Sequence, residues 1–341
     1  MSKFLLMGKC LLCLLCVMLL YIIPSTGCAP PAEEYPESSH EFDIQGLTFR
    51  SIIYYYNEGI YPSIYNKEDN LRLISKAGNV GANYLCVKAF YDCAGDGSLI
   101  GNDEEAKACL GEAIGTTHEN GMKVFLSPYV EAREFWPEKR WNLSVDVWTE
   151  CVLMWAQFAE ENGVEVFAPG FEMGLILDRE AAAAWFPSIL PQIREVYGGL
   201  VTFVEVPWGE QWDYLDAADA LTGYDGAGIT VFPWVDYGGV SDIRNFEEVR
   251  SFAEDRADRL DAIAEKYDCD CRFVAYLGLD LWYGEMPAPD IRAQGYSIML
   301  DVFREHDIDG VFLHLWASEH DHLGDSRDVE NMLKGRWTVS E

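Results

Sequence analysis

From about residue 43 onward, apolar runs of seven or eight residues alternate with longer stretches whose apolar positions recur at helical spacing, each pair taking about 35 residues. The runs read as strands are Leu47 to Tyr54, Ala82 to Ala89, Met122 to Pro128, Val164 to Gly170, Leu200 to Pro207, Ala227 to Pro233, Arg272 to Leu279 and Gly310 to Trp316. Between them, helical segments such as Asp103 to Asn120 and Asp146 to Asn162 stop at Asn-Gly pairs, and a strand follows at once. Strands that are apolar throughout, such as Val166-Phe167-Ala168 or Gly310 to Leu313, suit a parallel sheet covered by helices. Eight strand–helix units predict the α/β class and a single (β/α)8 TIM barrel over residues 43–341. An open doubly wound sheet would carry a glycine-rich loop after its first strand, where Tyr54-Tyr55-Tyr56-Asn57 stands instead.

The chain has 341 residues, 49% of them apolar, which suits one elaborated barrel. Residues 1–28 are set apart: Lys3 and Lys9 flank a leucine-rich stretch that runs to Ile23 and meets Pro24-Ser25-Thr26-Gly27-Cys28. This is the pattern of an export signal. Small residues ahead of Cys28 resemble a lipobox, in which the cysteine is lipidated and becomes the mature N-terminus; Ser25, in place of the usual leucine, leaves ordinary cleavage or an uncleaved signal anchor open. Residues 29–42, rich in Pro, Glu and Ser, read as a flexible tether. The expected location is extracellular, either anchored at the cell-surface membrane or secreted.

A formal charge of −32 argues against nucleic acid as a partner, and its even spread suits a solvated acidic surface. Six cysteines lie beyond the leader, and an exported domain permits disulfides. Cys86 with Cys93 is the favoured pair, with buried or singly bridged thiols as the alternative, while Cys269-Asp270-Cys271 lacks the paired spacing of a zinc site.

In a barrel the loops after the strands build the site. Here they are aromatic and acidic: Tyr54, Tyr55 and Tyr56; Phe90, Tyr91 and Asp92; Tyr129, Glu131 and Trp136; Glu172; Trp208 and Glu210; Trp234 and Asp236; Asp280, Trp282, Tyr283 and Glu285; and Trp316, Glu319 and His320. Flat rings match the C–H faces of sugar rings, and carboxylates bind hydroxyls and exchange protons with a glycosidic oxygen. A carbohydrate is therefore the expected partner. The stretch His314 to His322 has side chains that bind divalent metals, but its irregular spacing favours hydrogen bonding to sugar hydroxyls or simple polar loop chemistry.

Several segments together resemble the mannanase-like family 113 of glycoside hydrolases, within the large clan of retaining (β/α)8 enzymes. They are Gly81-Ala82-Asn83-Tyr84, the run Gly121 to Glu131, the stretch Trp155 to Met173 with Gly170-Phe171-Glu172-Met173, Thr202 to Trp208, and Asp225 to Ile229. The likeness spans about Gly46 to Trp316. It implies that Glu172 is the general acid/base at the end of strand four and that Tyr129 and Glu131 line the cleft. A raised pKa for such an acid would come from apolar neighbours such as Phe171 and Met173.

The family's glutamate nucleophile at the end of strand seven has no counterpart, its place being taken by Tyr276 or Leu277. Asp280, a few residues on, is the candidate second carboxylate, with Glu205 and Glu285 as weaker substitutes. The expectation is an exported hydrolase of a β-linked, mannan-like polysaccharide or oligosaccharide. Its catalytic residues are Glu172 and Asp280; its substrate contacts are Tyr55, Tyr129, Glu131, Trp208, Trp234, Trp282, Trp316 and His314, with no organic cofactor and no metal. The alternative is a non-catalytic carbohydrate-binding barrel at the cell surface that has lost its nucleophile.

Overall fold

The computed structural model describes residues 43–49, 53–56, 59–62, 67–94, 96–100, 103–130, 143–232, 240, 242–279, 288–317 and 326–337, so the leader and tether at 1–42 lie outside the described residues. Its first half runs β1 (Ile44–Phe49), β2 (Ile53–Tyr56), β3 (Gly59–Pro62), α1 (Lys67–Asn79), β4 (Tyr84–Cys93), β5 (Leu99–Ile100), α2 (Asp103–Glu119), β6 (Lys123–Val130), α3 (Val145–Glu161) and β7 (Val166–Phe167). The second half runs α4 (Met173–Ile176), α5 (Arg179–Val196), β8 (Leu200–Glu205), α6 (Gly209–Ala217), β9 (Gly226–Val231), α7 (Phe246–Tyr267), β10 (Cys271–Leu277), α8 (Pro289–Glu305), β11 (Gly310–Ala317) and α9 (Arg327–Trp337).

Eight of these strands pair in parallel in the order β1, β4, β6, β7, β8, β9, β10, β11, and β11 returns to β1, closing the ring. The protein is a single closed (β/α)8 barrel, as the alternation predicts. Residues of alternate parity feed two cores. Inside the ring lie Tyr84, Cys86, Phe125, Val204, Phe273 and Phe312; outside, between strands and helices, lie Leu85, Val87, Val124, Phe203, Val274 and Leu313. Burial on both faces is why these strands read as unbroken apolar runs. Phe125, Phe273 and Phe312 interlock at centroid distances of 5.3 to 6.0 Å, and Gly46 makes the room, since a Cβ there would lie 2.2 Å from the Phe312 ring.

The barrel's N-terminal rim carries a device repeated four times. The residue just before every second ring strand gives its N–H to the carbonyl of a residue on the preceding strand, and its side chain takes that residue's N–H in return. Asn83 clasps Gln45 at 2.7 Å, Glu165 clasps Val124 at 2.7 Å, Asp225 clasps Val201 at 2.6 Å and Asp309 clasps Arg272 at 2.9 Å. Each clasp satisfies a strand-end donor.

Three features differ from the sequence reading. Strand one spans Ile44–Phe49, and Tyr54 belongs to the antiparallel pair β2–β3. Strand four pairs over Val166–Phe167 alone, because Pro169 has no N–H to give, and it rejoins the sheet as a bridge from Phe171 to Val204. The Cys86–Cys93 disulfide does not form: Cys86 is a free thiol. Both residues sit on β4, and a strand advances about 3.3 Å per residue, far beyond the roughly 7 Å that a disulfide spans. Among the described residues no helix is long and apolar enough to cross a membrane.

Candidate active site

At the C-terminal end of the barrel, Pro169 and Gly170 break strand four immediately before Glu172. Phe171 turns into the barrel interior and Met173 into the outer core, both 0% exposed, which leaves Glu172 between them, half-buried. Its backbone is left-handed, at φ 60° and ψ 32°, a conformation that costs a non-glycine residue about 1–3 kcal/mol and persists where the surroundings enforce it. Here the Glu172 N–H donates to the Val204 carbonyl at 2.8 Å, and the Glu172 carbonyl accepts from Leu175 at 2.9 Å to open α4.

Beneath the mouth lies an aromatic group with one cation inside it. Phe171, Tyr129 and Tyr276 surround Lys88, whose Nζ stands 3.7 Å from the Phe171 and Tyr276 ring centroids and 4.5 Å from that of Tyr129. Lys88 is fully buried, and ring faces favour a cation electrostatically. His314, 1% exposed, has its ring 3.7 Å from that of Tyr276 and edge-on to Phe232 at 5.4 Å. Of the two residues standing where the resemblance puts a nucleophile, Tyr276 faces into the barrel and Leu277 faces out. A bulge in β10 between Val274 and Tyr276 causes this by placing Ala275 and Tyr276 on the same side.

Tyr129 is half-buried and packs edge-on against Phe90 at 5.1 Å and Phe171 at 6.5 Å. Trp208, ahead of α6, is half-buried, with the Arg256 guanidinium 4.4 Å over its ring. Glu205 closes β8 on the outer face and is 2% exposed; both its oxygens accept the Gly174 N–H, at 3.3 and 3.2 Å. Burial first, and then the neighbouring Glu172 charge, push its pKa up to about 8, against the pull of the Gly174 and Met173 amides.

Glu172, Tyr129 and His314 thus lie toward the C-terminal ends of their strands, and Tyr129 packs against a lysine the sequence reading passed over. Its signal was legible: Lys88 is the one charged residue between Tyr84 and Tyr91, at the same parity as the inward-facing Cys86. Glu131, Trp234, Asp280 and Trp282 lie outside the described residues, as do the side chains of Tyr55 on β2 and Trp316 on β11. Among the described residues no cluster of three or more His, Cys, Asp or Glu is arranged to hold a metal ion.

No protein-family model and no curated protein matches the chain. Solved structures of glycoside hydrolases do resemble it. A family 113 β-1,4-mannanase is 20% identical over 87% of this chain and 99% of its own, with a TM-score of 0.62. A family 113 β-mannanase from Alicyclobacillus acidocaldarius is 18% identical over 89% of this chain and 99% of its own, with a TM-score of 0.61. A family 5 glycoside hydrolase from Prevotella bryantii is 11% identical over 89% and 99%, with a TM-score of 0.60. At such identities the shared property is the (β/α)8 fold.

Proposed function

We propose that this chain is an exported glycoside hydrolase that cleaves a β-linked, mannan-like polysaccharide or oligosaccharide, with Glu172 as its general acid. The observation that carries the reading is the enforced left-handed turn that sets Glu172, half-buried, beyond the fourth ring strand. Catalytic side chains of (β/α)8 enzymes come from these strand ends. The similar structures, β-mannanases among them, lend the substrate class.

In this scheme Glu172 gives its proton to the glycosidic oxygen as the bond to the anomeric carbon breaks, and Asp280 acts on the opposite side of the sugar as base or nucleophile. Tyr55, Tyr129, Glu131, Trp208, Trp234, Trp282, Trp316 and His314 hold the sugar rings and hydroxyls. Residues 1–28 suit export, followed by a membrane anchor through lipidated Cys28 or an uncleaved signal, or by secretion after ordinary cleavage. Tyr276 favours one second reading, a carbohydrate-binding barrel without turnover, because a ring and not a carboxylate faces the barrel interior at the strand-seven station.

Assays of reducing ends released from β-1,4-mannan oligosaccharides decide between these. The wild type should release them, and E172Q should retain glycan binding while kcat falls about 10²–10⁴-fold. Undiminished hydrolysis by E172Q removes the assigned role, and wild-type binding with no new reducing ends favours the second reading.

A further inference from the structure

Glu205 is a buried carboxyl group that the proposed chemistry does not use. Alternation along β8 places Val204 inside the barrel and Phe203 and Glu205 outside, against α4 and α6. There Glu205 takes the Gly174 N–H on both oxygens, while the carbonyl of the residue before it takes the Glu172 N–H. The turn that carries Glu172 is therefore fastened to β8 at Glu172 itself and again two residues on, at Gly174.

Gly174 permits the approach: a Cβ there would lie 3.1 Å from Glu205 Oε2 and 3.1 Å from Leu215 Cδ1. Among the described residues, Glu172 itself and the buried Tyr224 hydroxyl ahead of β9 act electrostatically with Glu205. A carboxyl group buried at such a place usually belongs to a functional site or to its support.

We propose that Glu205 is the positioning residue for Glu172: its carboxyl group, bonded to the Gly174 amide, fixes the left-handed turn that presents Glu172 at the barrel rim. The inference rests on the reading of Glu172 as general acid, and misplacement of such a group by about 1 Å costs about 10²-fold in rate.

The test compares E205Q, which keeps an oxygen acceptor, with E205A, which does not, using a β-1,4-mannan oligosaccharide as probe. E205A should lower kcat about 10²-fold with KM within about twofold, and E205Q should stay within about threefold of wild type. In an E172Q background E205A should add less than about twofold, because a positioning residue has nothing left to position. Wild-type kcat in E205A, or its full loss repeated on top of E172Q, overturns the proposal.

Should E172Q itself hydrolyse undiminished, the general-acid reading falls, and hydrogen exchange at the Gly174 amide judges Glu205 separately. Protection kept in E205Q and lost in E205A supports the hold on the turn, and protection unchanged in E205A refutes it. If E205A does not fold, G174A substitutes for it, with the same loss of kcat expected and wild-type kcat counting against the proposal.

Discussion

A carboxyl group with a pKa of about 8, against an ordinary value of 4.5, binds its proton more tightly in the folded chain than in the unfolded one. Glu205 therefore contributes stability that is fully present below about pH 4.5 and is lost as pH rises through about 8. Completed, the loss is roughly 5 kcal/mol, because every tenfold gain in proton affinity on folding is worth about 1.4 kcal/mol. E205Q carries an uncharged amide at every pH and lacks this dependence. Thermal unfolding followed between about pH 4 and pH 9 should show the wild type losing ground steadily to E205Q across that window. Parallel curves for the two proteins would mean that the folded carboxyl group ionises at its ordinary value. Glu172 differs in kind: its neighbours Phe171 and Met173 are sequestered in separate cores, and its own side chain stays within reach of solvent.

The elements are organised by what their ends do. At the N-terminal rim, Asn83, Glu165, Asp225 and Asp309 each occupy the position before a strand and clasp the strand alongside. Removing one such side chain leaves a part-buried N–H without its acceptor, at a cost of about 1–3 kcal/mol. D309A should lose that much in denaturant melts and leave kcat unchanged, since Arg272 is at the opposite end of the barrel from Glu172; D309N, which keeps an acceptor, should fall in between. A large loss of kcat in D309A would tie the two rims together. The strand order was legible from periodicity because parallel strands bury both faces. The clasps were not, because an acid before a strand looks the same whether it meets water or a neighbouring amide. The orientation of Tyr276 was equally hidden: strict alternation from Phe273 would turn it outward, and the β10 bulge reverses that. Glu172, by contrast, stands out as a carboxylate directly after an apolar run, whereas the opening strand reads five residues too far at its end because Ile52 to Tyr56 continues its apolar character.

Over the whole molecule, 57 acidic residues face 25 basic ones, and among the described residues three arginines fasten helices to one another and to the sheet. Arg336 of α9 binds Asp301 of α8, Arg250 of α7 binds Glu305 of α8, and Arg272 of β10 binds Asp261 of α7. These pairs are partly exposed, so each is worth about 1 kcal/mol or less. The surplus carboxylates repel one another across the surface, which opposes the compact state. Added salt weakens both effects, but unequally: contacts near 3 Å are screened far less than repulsions spread over distances comparable to the Debye length, which falls from about 30 Å at 0.01 M to about 3 Å at 1 M. The net result is set by the surplus. The melting temperature at neutral pH should rise by several degrees between about 0.01 M and 0.5 M sodium chloride, most steeply at the low end. A melting temperature that falls over that range would show that the helix-fastening pairs outweigh the repulsion, and that the acid excess is locally compensated.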